Sequence, residues 1–197
     1  PAIVNAPNAR RIMPQGVKRS KGRAQKGWWF SVEIGWMRKM QFNIRSYHRR
    51  DLESLKAITM EGFEGVSLDH ATERVLEGEF AGHDWRWRKA RHVDEDVAIF
   101  AEGVFVAEAN GVVAGYISTR IDRDAGKGRI PNLAVAAWAR REGIGRALLE
   151  HALAFFREEK LEYATIETMV SNPLGQSLYP SCGFQEVARQ IHFAQRL

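Results

Sequence analysis

The spacing of apolar positions changes several times along the chain, and each change predicts an element. In QFNIRSYH (41–48), Phe42 and Ile44 alternate with polar neighbours, which predicts a strand with both on one face. In RRDLESLKAITMEGF the period widens. Leu52, Leu55, Ile58 and Met60 form a helical stripe, with Asp51 placed to cap it. DHATERVLEGEF (69–80) predicts a second helix, capped by Asp69, and the polar AGHDWRWRKARHVDED (81–96), with two tryptophans, reads as a loop. GVFVAEANGVVAGYISTRI holds two β-rich runs around Asn110-Gly111, a pair suited to a type I′ turn, where both central residues need φ > 0.

DRDAGKG is a second turn, and RIPNLAV (129–135) predicts a third strand. Pro131 lies inside that strand and cannot donate to a ladder, so the strand should be bulged or locally unpaired there. A helix follows to Lys160, with Ile144, Ala147, Leu148, Ala152 and Phe155 on one stripe. YATIETMV (163–170) is a strand, NPLGQSLYPSCGF (172–184) holds a short helix, and QEVARQIHF (185–193) predicts a closing strand. The order is α/β, an antiparallel meander leading into a β–α–β crossover.

Charge divides the chain unevenly. Nine of the 29 Lys and Arg residues fall in residues 1–40 with a single acid, Glu33, which leaves 20 basic and 23 acidic residues in 41–197. The basic balance therefore belongs to an N-terminal extension, and the mildly acidic body argues against nucleic-acid binding by the body. The extension (1–40) lacks periodicity and is expected to be disordered. It could serve as a basic arm for an anionic partner such as nucleic acid, or as a targeting segment. An extension without a role is the favoured expectation. Met37 and Met40 leave room for a later start.

Cys182 is the only cysteine, which excludes an internal disulfide and a cysteine zinc site and fits a reducing compartment, so a cytoplasmic setting is expected. No apolar run reaches the roughly 20 residues of a membrane span, and the six histidines show no metal-binding spacing.

ARREGIGRALLEH (139–151) carries the chemistry. Glycine near a helix start costs up to about 1 kcal/mol relative to alanine. Here Gly143 and Gly145 lead a helix whose N-terminus exposes free N–H donors and partial positive charge, flanked by Arg140 and Arg141. Glycines let a phosphate reach those donors, and arginines close over its remaining oxygens. The pattern is not G-x-x-x-x-G-K-[ST]. Nor is it G-x-G-x-x-G, since Leu148 stands where glycine or alanine is required.

Arg140-x-x-Gly143-x-Gly145 does match the [Q/R]-x-x-G-x-[G/A] motif of the GNAT superfamily of acyl-CoA-dependent N-acetyltransferases, and SNPLGQSLYPSCGF resembles that family's N-x-x-x-x-x-x-Y-x-x-x-GF segment. From about Phe42 to Phe193 the element order is similar too. The resemblance implies a mixed, mostly antiparallel sheet with splayed central strands flanked by helices, in a domain spanning 41–197. It implies acetyl-CoA as acyl donor, a primary amine as acceptor and no metal.

Under it, Arg140, Arg141, Glu142, Gly143, Ile144, Gly145 and Arg146 hold the pyrophosphate. Leu133, Ala134 and Val135 pair with the pantetheine arm, and Asn172 touches it. The Val135 N–H polarises the thioester carbonyl, and Tyr179 protonates the departing thiolate. Glu167, five residues before Asn172, matches the base glutamate of ribosomal-protein-alanine N-acetyltransferases. Cys182 and His151 are expected to be structural. The loop around Trp85 and Trp87 falls where the family often shapes its acceptor site. A non-catalytic acyl-CoA-binding module is the alternative, and a homodimer is left open.

Overall fold

The computed structural model describes residues 40–197, so the basic extension lies outside the described residues but for Met40. The chain runs β1 (Asn43–Ser46), α1 (Leu52–Gly62), α2 (Leu68–Val75), α3 (Trp85–Phe100), β2 (Val104–Ala109), β3 (Val112–Ser118) and β4 (Arg120–Asp122). It continues through β5 (Lys127–Ile130), β6 (Leu133–Val135), α4 (Ile144–Glu158), β7 (Tyr163–Ile166) and α5 (Pro173–Ser181). One sheet has the order β1-β2-β3-β6, antiparallel throughout. The other has the order β4-β5-β7, with β5 and β7 parallel. The turn joining β2 to β3 has φ of 52° at Asn110 and 76° at Gly111, as a type I′ turn requires.

The predicted strand 129–135 is two strands in two sheets, separated by Pro131 and Asn132. Register accounts for the break. Arg129 lies opposite Arg120 on one side of it, and Leu133 lies opposite Ile117 on the other. The Ser118 N–H donates to the Asn132 carbonyl at 2.9 Å. Thr119 alone therefore faces both Ile130 and Pro131, the two-against-one arrangement of a β-bulge.

Side chains on alternate sides of the sheets form two apolar layers. On one face, Phe105, Ile117 and Ile130 pack with Ile144, Leu148 and Phe156, the last four being almost or fully buried with them. On the other, Val104, Val106, Tyr116 and Ala134 pack with Leu55, Ile58 and Val93 of α1 and α3. Ile130 and Ala134, both even-numbered in one continuous stretch, thus serve opposite layers. The buried Tyr116 hydroxyl is 2.6 Å from Thr59 Oγ1, so its polar tip is satisfied.

Several expectations change. Residues 85–96 are helical: Trp85, Lys89, Val93 and Asp96 are buried at helical spacing, and two of these four are charged, which hides the period from a hydropathy pattern. The helix before it starts one residue earlier, at Leu68, and Ser67 caps it by accepting the His70 N–H at 3.2 Å, not Asp69. It ends at Val75. Asp51 lies at the start of α1 without a side-chain capping bond there. It accepts instead from the His48 N–H at 2.8 Å and from the Arg45 guanidinium at 2.7 and 2.9 Å. Residues 185–193 form no strand, and Val187, Ile191 and Phe193 are exposed. A strand needs a partner ladder, and none of the described residues supplies one to this segment. The strand predicted to 170 ends at Ile166.

Leu148 has no exposed surface. Leu148→Ala should lower unfolding free energy by about 2–5 kcal/mol, measured by urea denaturation. Val75→Ala, at an exposed position of α2, should change it by less than about 0.5 kcal/mol in the same assay.

Candidate active site

The chain leaves β6 at Val135, makes a short 3-10 turn over Ala137–Ala139 and enters α4 at Ile144. Between these points Arg141 has φ of 67° and Gly143, the N-cap, has φ of 85°. Gly143 carries no Cβ penalty there, which explains why this glycine is needed. The turn takes the N–H of Arg140 to the Ala137 carbonyl, at 3.3 Å, and the N–H of Ala147 to the Gly143 carbonyl, at 3.0 Å. Residues 141–146 between them find no acceptor among the described residues. Six consecutive amides without an acceptor thus lead into the positive end of a 15-residue helix, which makes this segment the candidate place for an anion.

The side chains of this segment divide by role. Arg141 is exposed and has no partner among the described residues. Arg140 folds back, its Nε donating to the Val135 carbonyl at 3.2 Å. Glu142 turns away and accepts the Met40 N–H at 3.1 Å. Ile144 is buried in the core and offers only its N–H. Arg146 is taken by α5, donating to the Ser181 carbonyl at 3.0 Å and to Ser181 Oγ at 2.8 Å. A Cβ at Gly145 would meet Leu178 at 3.5 Å and Val135 at 3.7 Å, ordinary contacts, so α5 closes on the cradle without crowding it.

β6 supplies a second kind of donor. Bonds run from Ser118 to Asn132 and from Ala136 to Ala114, so the register gives the even positions to the β3 ladder. The amides of Leu133 and Val135 then point to the outer edge of β6, while the Ala134 amide is spent inside the sheet. Of the three residues expected to pair with a pantetheine arm, Ala134 is thus withdrawn and contributes a buried side chain. β7 pairs only with β5, and its ladder stops at Ile130 opposite Ile166. Beyond that level no strand among the described residues pairs with the outer edge of β6, where only the Val135 carbonyl is met, by Arg140 Nε.

Tyr179 sits on α5, packed against the α4 layer, with the Phe184 ring 6.3 Å away. No hydroxyl partner lies within reach among the described residues. Burial pushes its pKa up to about 12, so the group stays a neutral donor through ordinary pH. Asn172 is the N-cap of α5. Its Oδ1 accepts the Gly175 N–H at 3.2 Å, and its Nδ2 donates to Thr168 Oγ1 at 2.9 Å. Local structure therefore occupies the side chain expected at the pantetheine arm. Glu167 lies just past β7, exposed, and accepts from the Arg129 guanidinium at 2.8 Å.

Two contacts that spacing did not signal shape the mouth. The Ala137 N–H donates to Glu61 Oε2 at 3.1 Å, which sets the end of α1 beside the turn, and Ser171 Oγ donates to the Gly65 carbonyl at 3.2 Å. The expected acceptor loop is helix: Trp85 is buried and stacked on His70, and Trp87 is half exposed and stacked on His83. Cys182 is half buried against the core, and His151 packs edge-on to Phe105 at 4.5 Å.

Residues 68–184 match the acetyltransferase (GNAT) family. The chain belongs to that family. It is 35% identical over 113 residues to an N-alpha-acetyltransferase of Sulfurisphaera tokodaii, covering 52% of this chain and 65% of that one. It is 33% identical over 82 residues to the [ribosomal protein bS18]-alanine N-acetyltransferase of Escherichia coli, covering 42% of this chain and 54% of that one. The matched region is thus under two thirds of either relative. Among solved structures, a ribosomal-protein-alanine N-acetyltransferase from Brucella melitensis superposes with a TM-score of 0.52 at 28% identity, covering 74% of this GNAT chain and 86% of that one. The PaiA N-acetyltransferase of Thermoplasma acidophilum, in complex with coenzyme A, shares the fold with a TM-score of 0.59 at 20% identity, covering 74% and 91%. The largely antiparallel strands flanked by helices make the GNAT fold. Among the described residues no helix is long and apolar enough to cross a membrane, and no group of His, Cys, Asp and Glu is placed to hold a metal ion.

The two glycines should respond oppositely to alanine in the free protein. Gly143→Ala places a Cβ at positive φ and should lower stability by about 1–2 kcal/mol. Gly145→Ala, within the first turn of α4, should raise it by up to about 1 kcal/mol. Denaturant unfolding without ligand measures both.

Proposed function

We propose that the chain is an N-acetyltransferase that moves an acetyl group from acetyl-CoA directly to a primary amine. The run of six unpaired amides at residues 141–146, beside the open edge of β6, carries this reading. A pyrophosphate suits the first and an extended amide chain suits the second, and acetyl-CoA contains both in that order. Arg141 adds charge over the phosphates, and this remote binding helps hold the thioester at the chemistry. The Val135 N–H faces the edge where the thioester carbonyl would lie and stabilises its developing oxyanion.

The amine nitrogen attacks the thioester carbonyl carbon, a C–N bond forms, and the C–S bond breaks. The amine proton leaves to Glu167, directly or through water, and Tyr179 delivers a proton to the sulfur. Burial that disfavours the Tyr179 phenolate also disfavours a bare thiolate in the same cleft, so the proton moves between groups whose charged forms are both penalised. The acceptor we favour is a polypeptide N-terminus. Its support is the place of Glu167 before Asn172 and the likeness to two relatives, an N-alpha-acetyltransferase and a ribosomal-protein-alanine N-acetyltransferase.

Calorimetry with acetyl-CoA, ATP and NAD tests the first half. Acetyl-CoA alone should bind at about micromolar Kd, and Gly143→Trp should abolish it. Absence of binding to the folded protein overturns the proposal. An acetylation assay over peptides with free N-termini, lysine side chains and small amines tests the second half. Tyr179→Phe should lower kcat about 10²-fold or more. Because Tyr179 stays protonated to about pH 12, a rate loss between pH 8 and 10 should be the same in wild type and Tyr179→Phe. Binding without turnover on any amine would leave the acyl-CoA-binding module.

A further inference from the structure

A buried polar cluster lies behind the break between β5 and β6, on the side of α3, and the chemistry above makes no use of it. Lys89 and Asp96 of α3, Asn132 and Ser118 are all buried. The Asn132 side chain bridges two charges. Its Oδ1 accepts from Lys89 Nζ at 2.7 Å, and its Nδ2 donates to Asp96 Oδ2 at 2.7 Å. Asp96 Oδ2 also accepts from Ser118 Oγ at 2.5 Å, and Asp96 Oδ1 accepts from the Arg120 guanidinium at 2.9 Å. Both backbone groups of Asn132 are tied to Ser118. The carbonyl accepts the Ser118 N–H at 2.9 Å, and the N–H donates to Ser118 Oγ at 3.1 Å.

This arrangement selects asparagine. One amide presents an acceptor to a cation and a donor to a carboxylate in the same plane. Aspartate there would set a second negative charge against Asp96, and leucine would strip partners from two buried ions, the costly way to break such a network. Pro131 explains why one ladder bond is missing, since it has no N–H. It does not explain which strand Asn132 then joins. The cluster does: it fastens Asn132 to the end of β3 and to α3, so the chain leaves β7 at Ile130 and cannot slide along it.

We propose that Asn132, clamped between Lys89 and Asp96, is a positioning residue that fixes where the acyl-CoA cleft opens and so aims the Leu133 and Val135 amides at the pantetheine arm. The proposal rests on the acetyl-CoA reading above. Asn132 itself faces α3 and touches no substrate.

The test uses the full chain with Asn132→Leu, Asn132→Asp, Lys89→Met and Ser118→Ala. Each is measured for Tm, for acetyl-CoA affinity and for affinity of ADP, which carries a pyrophosphate and no pantetheine arm. Loss of strand aim should weaken acetyl-CoA about tenfold or more while ADP stays within about twofold, because the cradle on α4 is untouched. The Asn132 variants should show the largest effect and Ser118→Ala the smallest. Parallel weakening of both ligands would reduce the cluster to general stability and overturn the proposal, as would unchanged acetyl-CoA affinity in folded variants. If the Asn132 variants fail to fold, Lys89→Met and Ser118→Ala decide by the same comparison. If wild type binds no acetyl-CoA, the functional reading fails first and this proposal with it. If wild type binds and every variant binds equally, this proposal alone fails.

Discussion

Hydrogen bonds in an antiparallel pair recur with a fixed period, and the pair formed by β3–β4 and β5–β6 breaks that period at a single level. Thr119 stands against Ile130 and Pro131, and the ladder resumes one step out of phase. The site follows from this offset. Before it, β5 is committed to β7; after it, β6 is committed to β3, and its odd-numbered N–H groups face outward with no acceptor among the described residues. A cleft between strands that are neighbours at one end and strangers at the other is a gap that an extended amide chain can enter without unpairing the sheet.

α4 completes the site from the opposite direction. Its apolar stripe buries Ile144, Leu148 and Leu149 beneath the sheet, which fixes the direction of its N-terminus. Core packing therefore sets where the unpaired amides point, and the positive φ at Gly143 lets the chain turn from strand to helix within reach of them. The adjoining helix end is tied in by Arg146 on Ser181, a guanidinium used as a strut between α4 and α5. One arginine of the motif region thus holds protein to protein, while Arg141 stays exposed beside the cradle.

The turn into α4 was legible because its requirements are local: glycine for positive φ and an apolar stripe for the helix. The strand break was legible from Pro131 as a local fault, but its outcome, two sheets, depends on Asn132 reaching side chains 36 and 43 residues away in sequence. α3 was hidden for the same reason. Lys89 and Asp96 occupy core-facing positions, and a pattern that equates charge with solvent reads them as loop. The segment 185–193 shows the reverse error, since alternation describes a chain's capacity to pair and not the presence of a partner. Asn172, assigned by resemblance to the substrate, also precedes Pro173, the Asn-Pro start of a helix, and the side chain does the capping.

The even-numbered residues Ile130 and Ala134 lie on opposite apolar layers, and this gives the chain a point where length is counted in single residues. In the turns at 76–84 or 123–126 an inserted residue lengthens a surface excursion and leaves both layers as they were. Between Ile130 and Leu133 one residue more or fewer would exchange inward and outward for everything downstream to Ala136. Alanines shaped for the α1 side would then meet α4, and the larger Leu133 and Val135 would meet α1. The three-residue step from Ile130 to Leu133 is thus a parity element, held by geometry on both faces of the sheet at once.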